Sequence, residues 1–112
     1  NRGDGTFENR TDTAVIGLID AVSVSASFAD IDNDDDPDLF VTTVRGGNHL
    51  FENDGTGRFR DITVRAGLQY SGHSSTGLFL DVDRDGRLDL FVVNVGRYTG
   101  ERRSAGAPVH YE

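Results

Sequence analysis

The chain has no cysteine and only two prolines. Without thiols there is no disulfide framework and no thiolate metal site, an absence that suits a reducing compartment or a bacterial secreted protein stapled by other means. No lysine occurs at any position. That removes the ammonium group with which many phosphotransferases cradle their phosphates. No apolar run approaches the ~18 residues that a membrane-crossing helix requires. The chain begins with neither an initiating methionine nor a signal peptide, and reads as a mature or excised segment. Basic residues are also scarce: 11 Lys plus Arg stand against 19 Asp plus Glu, a formal net charge of −8. Such a surface repels nucleic acid and anionic membranes and attracts metal cations.

What is present favours strands. The 112 residues suffice for one small domain or for two units of a larger one, and 36% hydrophobic content supports a core. Fourteen glycines, with many Val, Ile, Phe and Thr residues, predict short strands joined by tight turns. The expected fold class is all-β.

A repeat organises the chain. "NRGDGTF" (Asn1 to Phe7) matches "NDGTGRF" (Asn53 to Phe59), and "DIDNDDDPDLFV" from Asp30 matches "DVDRDGRLDLFV" from Asp81. Two blocks in one order at nearly one offset define modules at residues 1–52 and 53–112. The two modules are cut at equivalent points: Tyr111-Glu112 followed by Asn1 would parallel Phe51-Glu52 followed by Asn53. Terminal hairpins of such a unit expect a neighbour to complete them.

Within each module, punctuation places the elements. Asn1 to Gly5 and Asn53 to Gly57 read as hairpin turns. Strands are expected at Leu39 to Val44, Leu50 to Phe51, Phe59 to Thr63 and Leu88 to Val95, and more weakly at Ala14 to Ile19, Val22 to Phe28 and Thr76 to Leu80. No helix is expected. Residues 97–108, "RYTGERRSAGAP", read as a polar loop insertion in the second module.

The aspartates carry the chemistry. Six of the nine positions from Asp30 to Asp38 are Asp, flanked by apolar runs. Oxygen donors at alternate positions of a tight loop converge on one hard cation at roughly 2.3–2.6 Å, and D-x-D-x-D-G-x-x-D has that spacing. In the second module Asp81, Asp83, Asp85 and Asp89 would offer carboxylates and Arg87 its main-chain carbonyl, with Gly86 in the left-handed turn. In the first, Asp30, Asp32, Asp34 and Asp38 match, with the Asp36 carbonyl, while Asp35 stands where the glycine should be. An all-oxygen set of carboxylates selects Ca²⁺ over zinc or copper and disfavours magnesium, so two calcium sites are expected. An EF-hand is set aside, because its twelfth position requires a bidentate Glu and Val41 and Val92 stand there.

Other residues invite functional readings that simpler chemistry absorbs. Arg2-Gly3-Asp4 spells an adhesion tripeptide but falls inside the repeat's own turn. Asn9-Arg10-Thr11 is a glycosylation sequon, which makes Asn9 a candidate acceptor only in a secreted chain. His49, His73 and His110 lack partners at ligand spacing and read as surface or packing residues. Ser74, Ser75 and His73 are neighbours in sequence without forming a triad, and no catalytic constellation emerges. The chain is not expected to be an enzyme.

"FADIDNDDDPDLFV", "LFLDVDRDGRLDLFV", "HLFENDGTGRFRDIT" and "RAGL" (Arg65 to Leu68) together resemble the FG-GAP/VCBS repeat, the calcium-loop blade of integrin α-type propellers. The likeness is nearest to the form in bacterial proteins similar to cartilage acidic protein, which often carry an ASPIC/UnbV region. It covers nearly the whole chain, but the first module departs from it after Glu8, where "NRTDTAVIGLID" lacks the D-I-T…A-G-L segment, and Asp35 and Pro37 are unusual. The resemblance implies about seven four-stranded blades in a closed ring, calcium loops on one face, and an extracellular or cell-surface role in adhesion or recognition. Two repeats cannot close that ring. Matched ends therefore point to head-to-tail packing with neighbouring repeats or with copies of the chain, which without closure runs on as a filament. The alternative is a two-blade excerpt of a recognition propeller that binds glycan or protein.

Overall fold

A computed structural model describes residues 1–96 of the chain. The predicted insertion at 97–108 and His110 lie outside the described residues. Six antiparallel strands dominate the described residues: β1 (Val22–Ala29), β2 (Asp38–Arg45), β3 (His49–Asn53), β4 (Phe59–Asp61), β5 (His73–Leu80) and β6 (Asp89–Val95). Strands β1 to β4 form one four-stranded sheet in sequential order, and β5 and β6 form a second, two-stranded one. The all-β expectation holds. Strand β3 runs across the boundary between residues 52 and 53, so the first sheet spans both sequence modules.

Period-2 alternation sorts each strand into two faces. On the first sheet Phe40 and Leu50, with Ile62 just beyond β4, point toward the second sheet and meet Phe79, Leu90 and Val92. The Phe40 and Phe79 rings lie edge to face, 6.2 Å apart at 81°. Between the sheets the Ser27 hydroxyl donates to the Gly77 carbonyl at 2.6 Å. Side-chain amides extend the joint: Asn48 Nδ2 donates to Ser74 Oγ at 2.8 Å, and that hydroxyl donates to Asn94 Oδ1 at 2.7 Å. Gly77 is small for a reason, since a Cβ there would sit 2.5 Å from Phe40 Cδ1.

The opposite face of the first sheet holds Leu39, Val41 and Phe51, covered by Ile16 and Leu18. Here the structure corrects two expectations. Ala14 to Ile19 is not a strand; it follows a one-turn helix, α1 (Thr11–Ala14), that ends on Val15 in the left-handed conformation at φ 61°. The first module also keeps the turn of the second, although its sequence departs from the repeat there. Asn9 Oδ1 accepts the Thr11 N–H at 3.0 Å as Asp61 Oδ1 accepts the Thr63 N–H at 2.9 Å. The Ala14 N–H donates to the Arg10 carbonyl, and the Ala66 N–H to the Ile62 carbonyl, both at 2.8 Å. Val15 occupies the place of Gly67, whose φ is 70°. Hydrogen-bond geometry was preserved while residue identity drifted.

Candidate metal centre

Each acidic loop joins the first two strands of its sheet. β1 ends at Ala29 and β2 begins at Asp38; β5 ends at Leu80 and β6 begins at Asp89. Strand pairing brings the loop ends together, with Ala29 opposite Asp38 and Leu80 opposite Asp89. The loop must therefore reverse within a few residues, and its own carboxylates hold the reversal. Asp30 accepts the N–H groups of Asp34 and Asp35 at 3.1 and 3.0 Å, as Asp81 accepts those of Asp85 and Gly86 at 3.1 and 2.9 Å. Asp38 Oδ2 takes the Ile31 N–H at 3.0 Å, and Asp89 Oδ2 takes the Val82 N–H at 3.0 Å. The same bonds recur at the same loop positions in both copies.

Backbone conformation repeats as well. Asp35 lies at φ 70° and Gly86 at φ 85°, the left-handed turn expected of the sixth position. Asn33 and Arg84, both at φ 64°, form a second left-handed position that the sequence had not flagged. Asn tolerates that conformation well, Arg less so, and nothing in the D-x-D-x-D spacing announces it.

In each loop three carboxylates bring oxygens within 4.8 Å of one another: Asp30, Asp32 and Asp38 in the first, Asp81, Asp83 and Asp89 in the second. These are clusters that could hold a metal ion. The other expected ligands stand differently. Asp34 Oδ1 accepts the Asp36 N–H at 3.0 Å and Asp85 Oδ1 accepts the Arg87 N–H at 2.9 Å, so the fifth-position carboxylates face their own turn. Asp36 and Arg87 were expected to contribute carbonyls. The Asp36 carboxylate reaches the β3–β4 turn, where a Cβ on Gly55 would lie 2.7 Å from its Oδ2, and the Arg87 guanidinium lies 3.5 Å from Asp85.

Electrostatics fit a cation. The Asp32 carboxyl is exposed, yet slight loss of solvent in the loop, and then the charges of Asp34, Asp38 and Asp30, push it above the usual carboxylate range. Like charges that raise one another's proton affinity are relieved equally by a divalent ion. Asp38 is 1% exposed and satisfied at both oxygens, the second by the Asn53 N–H at 2.8 Å.

The remaining singled-out residues are now placed. Asp4 Oδ1 accepts from the Thr6 N–H at 2.9 Å and from its hydroxyl at 2.6 Å, the arrangement that Asp54 and Thr56 repeat at 3.0 and 2.6 Å. Arg2-Gly3-Asp4 is thus built as a turn. Asn9 is exposed within its turn. His49 and His73 do not join a metal cluster; both line a cleft at the far end of the sheets from the acidic loops, a grouping their sequence separation had concealed.

Antiparallel blades stacked face to face, each opened by an acidic loop, define a β-propeller-type repeat module. The FG-GAP-like repeat pattern matches residues 30–92, more than half of the 112-residue chain, and the chain belongs to that family. No curated protein and no solved structure matches it significantly. The family is one of structural and recognition modules, not typically enzymatic, and typical of extracellular proteins. Among the described residues no helix is long and apolar enough to cross a membrane.

Proposed function

We propose that the chain is a calcium-stabilised, extracellular β-repeat scaffold whose blades pack head to tail with neighbouring repeats or with copies of itself. Asp30, Asp32 and Asp38 hold one Ca²⁺, and Asp81, Asp83 and Asp89 the other. Asp34 and Asp85, with the carbonyls of Asp36 and Arg87, complete the shells once the ion draws the loops inward. The ion's role is structural: it neutralises carboxylates where the chain turns most tightly and fixes the corner at which two strands begin.

One observation carries the packing. Phe79 sits edge-on against Phe40, which is 1% exposed. The repeat equivalents of these two residues, Phe28 and Phe91, are 63% and 60% exposed on the two outer faces of the stack. The aromatic surfaces that meet inside the module thus recur at its ends, with both rings exposed among the described residues. A Phe91 face of one module is chemically suited to the Phe28 face of the next, a heterologous contact that propagates. Its natural setting is a bacterial secreted or cell-surface structure that serves adhesion. Asn9 is a glycosylation site if the producing cell has that machinery.

Sedimentation velocity in calcium and in EGTA tests the proposal, together with calorimetric titration. Two ions bound per chain and concentration-dependent growth that Phe91→Ser abolishes are the expected results. Monomers at every concentration would remove the assembly; an unchanged melting temperature in excess EGTA would remove the calcium.

A further inference from the structure

We propose that the cleft opposite the acidic loops is a binding site for an acidic saccharide, one whose ring carries a carboxylate. The two ends of the strands differ in charge. β2 starts at Asp38 in one acidic loop and finishes at Arg45, on the order of 23 Å away at ~3.3 Å per residue. β5 runs the other way, from His73 to Leu80 beside the second acidic loop. An acidic chain of net charge −8 has therefore gathered Arg45, His49 and His73 at one pole.

These residues line a cleft of about 730 Å³, within the ~300–1,000 Å³ typical of small-ligand sites. Its one carboxylate, Asp61, is already engaged: its Oδ2 lies 2.8 Å from His49 Nδ1. The His49 ring also stacks on Phe51, 5.8 Å between centroids at 18°. His49 is held from two sides, which leaves Nε2 as its uncommitted polar atom. Among the described residues no carboxylate pairs with Arg45. A guanidinium with no carboxylate partner among the described residues, in an acidic protein, is suited to bidentate capture of a ligand carboxylate.

The rest of the lining selects a sugar. Tyr70, 45% exposed, offers an aromatic wall to the C–H face of a pyranose. Gln69 and Ser71 supply amide and hydroxyl groups suited to ring hydroxyls. Phosphate alone would use the charge and leave Tyr70 and these polar groups idle.

The test is titration of the full chain, in calcium buffer, with trigalacturonate and with its methyl ester, followed by NMR. The acid should bind saturably, shift His49, His73 and Tyr70 resonances, and bind at least about tenfold more tightly than the ester, which keeps the rings and loses the charges. Arg45→Ala should weaken it by at least about tenfold, with Arg45→Gln serving if the alanine variant unfolds, while Arg58→Ala should leave it unchanged. Equal binding of acid and ester, shifts confined to the acidic loops, indifference to both Arg45 substitutions, or no saturable binding would each overturn the proposal.

Discussion

Asp38 and Asn53 lock the acidic loop to the centre of its sheet. The Asn53 N–H on β3 donates to Asp38 Oδ1 at 2.8 Å while the Ile31 N–H, inside the loop, donates to Oδ2 at 3.0 Å. One buried carboxylate thus ties loop, β2 and β3 together. Asp89, its repeat equivalent, is exposed and takes only the Val82 N–H among the described residues.

That difference predicts unequal costs of truncation. Asp38→Ala strands two partly buried backbone donors and should destabilise the fold by about 2–4 kcal/mol even without metal. Asp89→Ala should cost less than about 1 kcal/mol in metal-free protein and show its main effect only with calcium present. Denaturant melts of both variants, with and without EGTA, check this. Equal losses in metal-free protein would contradict it.

Val15 occupies a left-handed position at φ 61° that its counterpart Gly67 fills at φ 70°. A β-branched residue there costs roughly 1–2 kcal/mol, while glycine's greater freedom in the unfolded chain recovers part of that difference. Val15→Gly should raise stability and Gly67→Val should lower it, each by about 0.5–1 kcal/mol once the two terms are set against one another. No atom lies within 4 Å of a Cβ at Gly67, so the second effect is conformational rather than steric. Midpoints of urea unfolding measure both.

The same position shows where sequence reading runs out. The acidic loops were legible because the same carboxylates close the same turns and cluster in both copies, so Asp recurs at Asp30 and Asp81, Asp32 and Asp83, and Asp38 and Asp89. Strands β2 and β6 were legible because Leu-Phe-Val is buried or paired in both. The turn from Asn9 to Ile16 was not, because its geometry depends on main-chain bonds that several sequences satisfy: Asn replaces Asp and Val replaces Gly. The cleft was invisible because its histidines come from two sheets and meet only after folding. The inward register of Asp34 and Asp85 could not be read either, since one spacing allows a carboxylate to face a cation or its own turn.

Gly77 lets the two sheets close. Its missing Cβ would lie 2.5 Å from Phe40 Cδ1 and 2.6 Å from Cε1, and that ring is wedged against Phe79. Gly77→Ala should therefore cost about 1–3 kcal/mol by overpacking, against the ordinary gain of alanine over glycine in a strand. Pairing it with Phe40→Leu, which withdraws the ring, should restore part of the loss. A double-mutant cycle reads the coupling, and additive effects would show that the sheets are not in contact at this point.

Asp61 supplies a pH dependence that is separable from the acidic loops. Partial burial alone would raise its carboxyl, but hydrogen bonds from the Thr63 hydroxyl, from His49 and from the Thr63 N–H outweigh that and hold it below the usual carboxylate range. A carboxyl depressed on folding contributes stability that is present above its unfolded value, near 3.9, and is lost as pH falls through the lower folded value. Asp61→Asn removes the titrating group, so metal-free variant and wild type should differ most at neutral pH and converge as the medium becomes acidic below about pH 4. Unfolding free energies measured across that range test the sign. A gap that widens on acidification would mean the Asp61 carboxyl is raised, not lowered, by its partners.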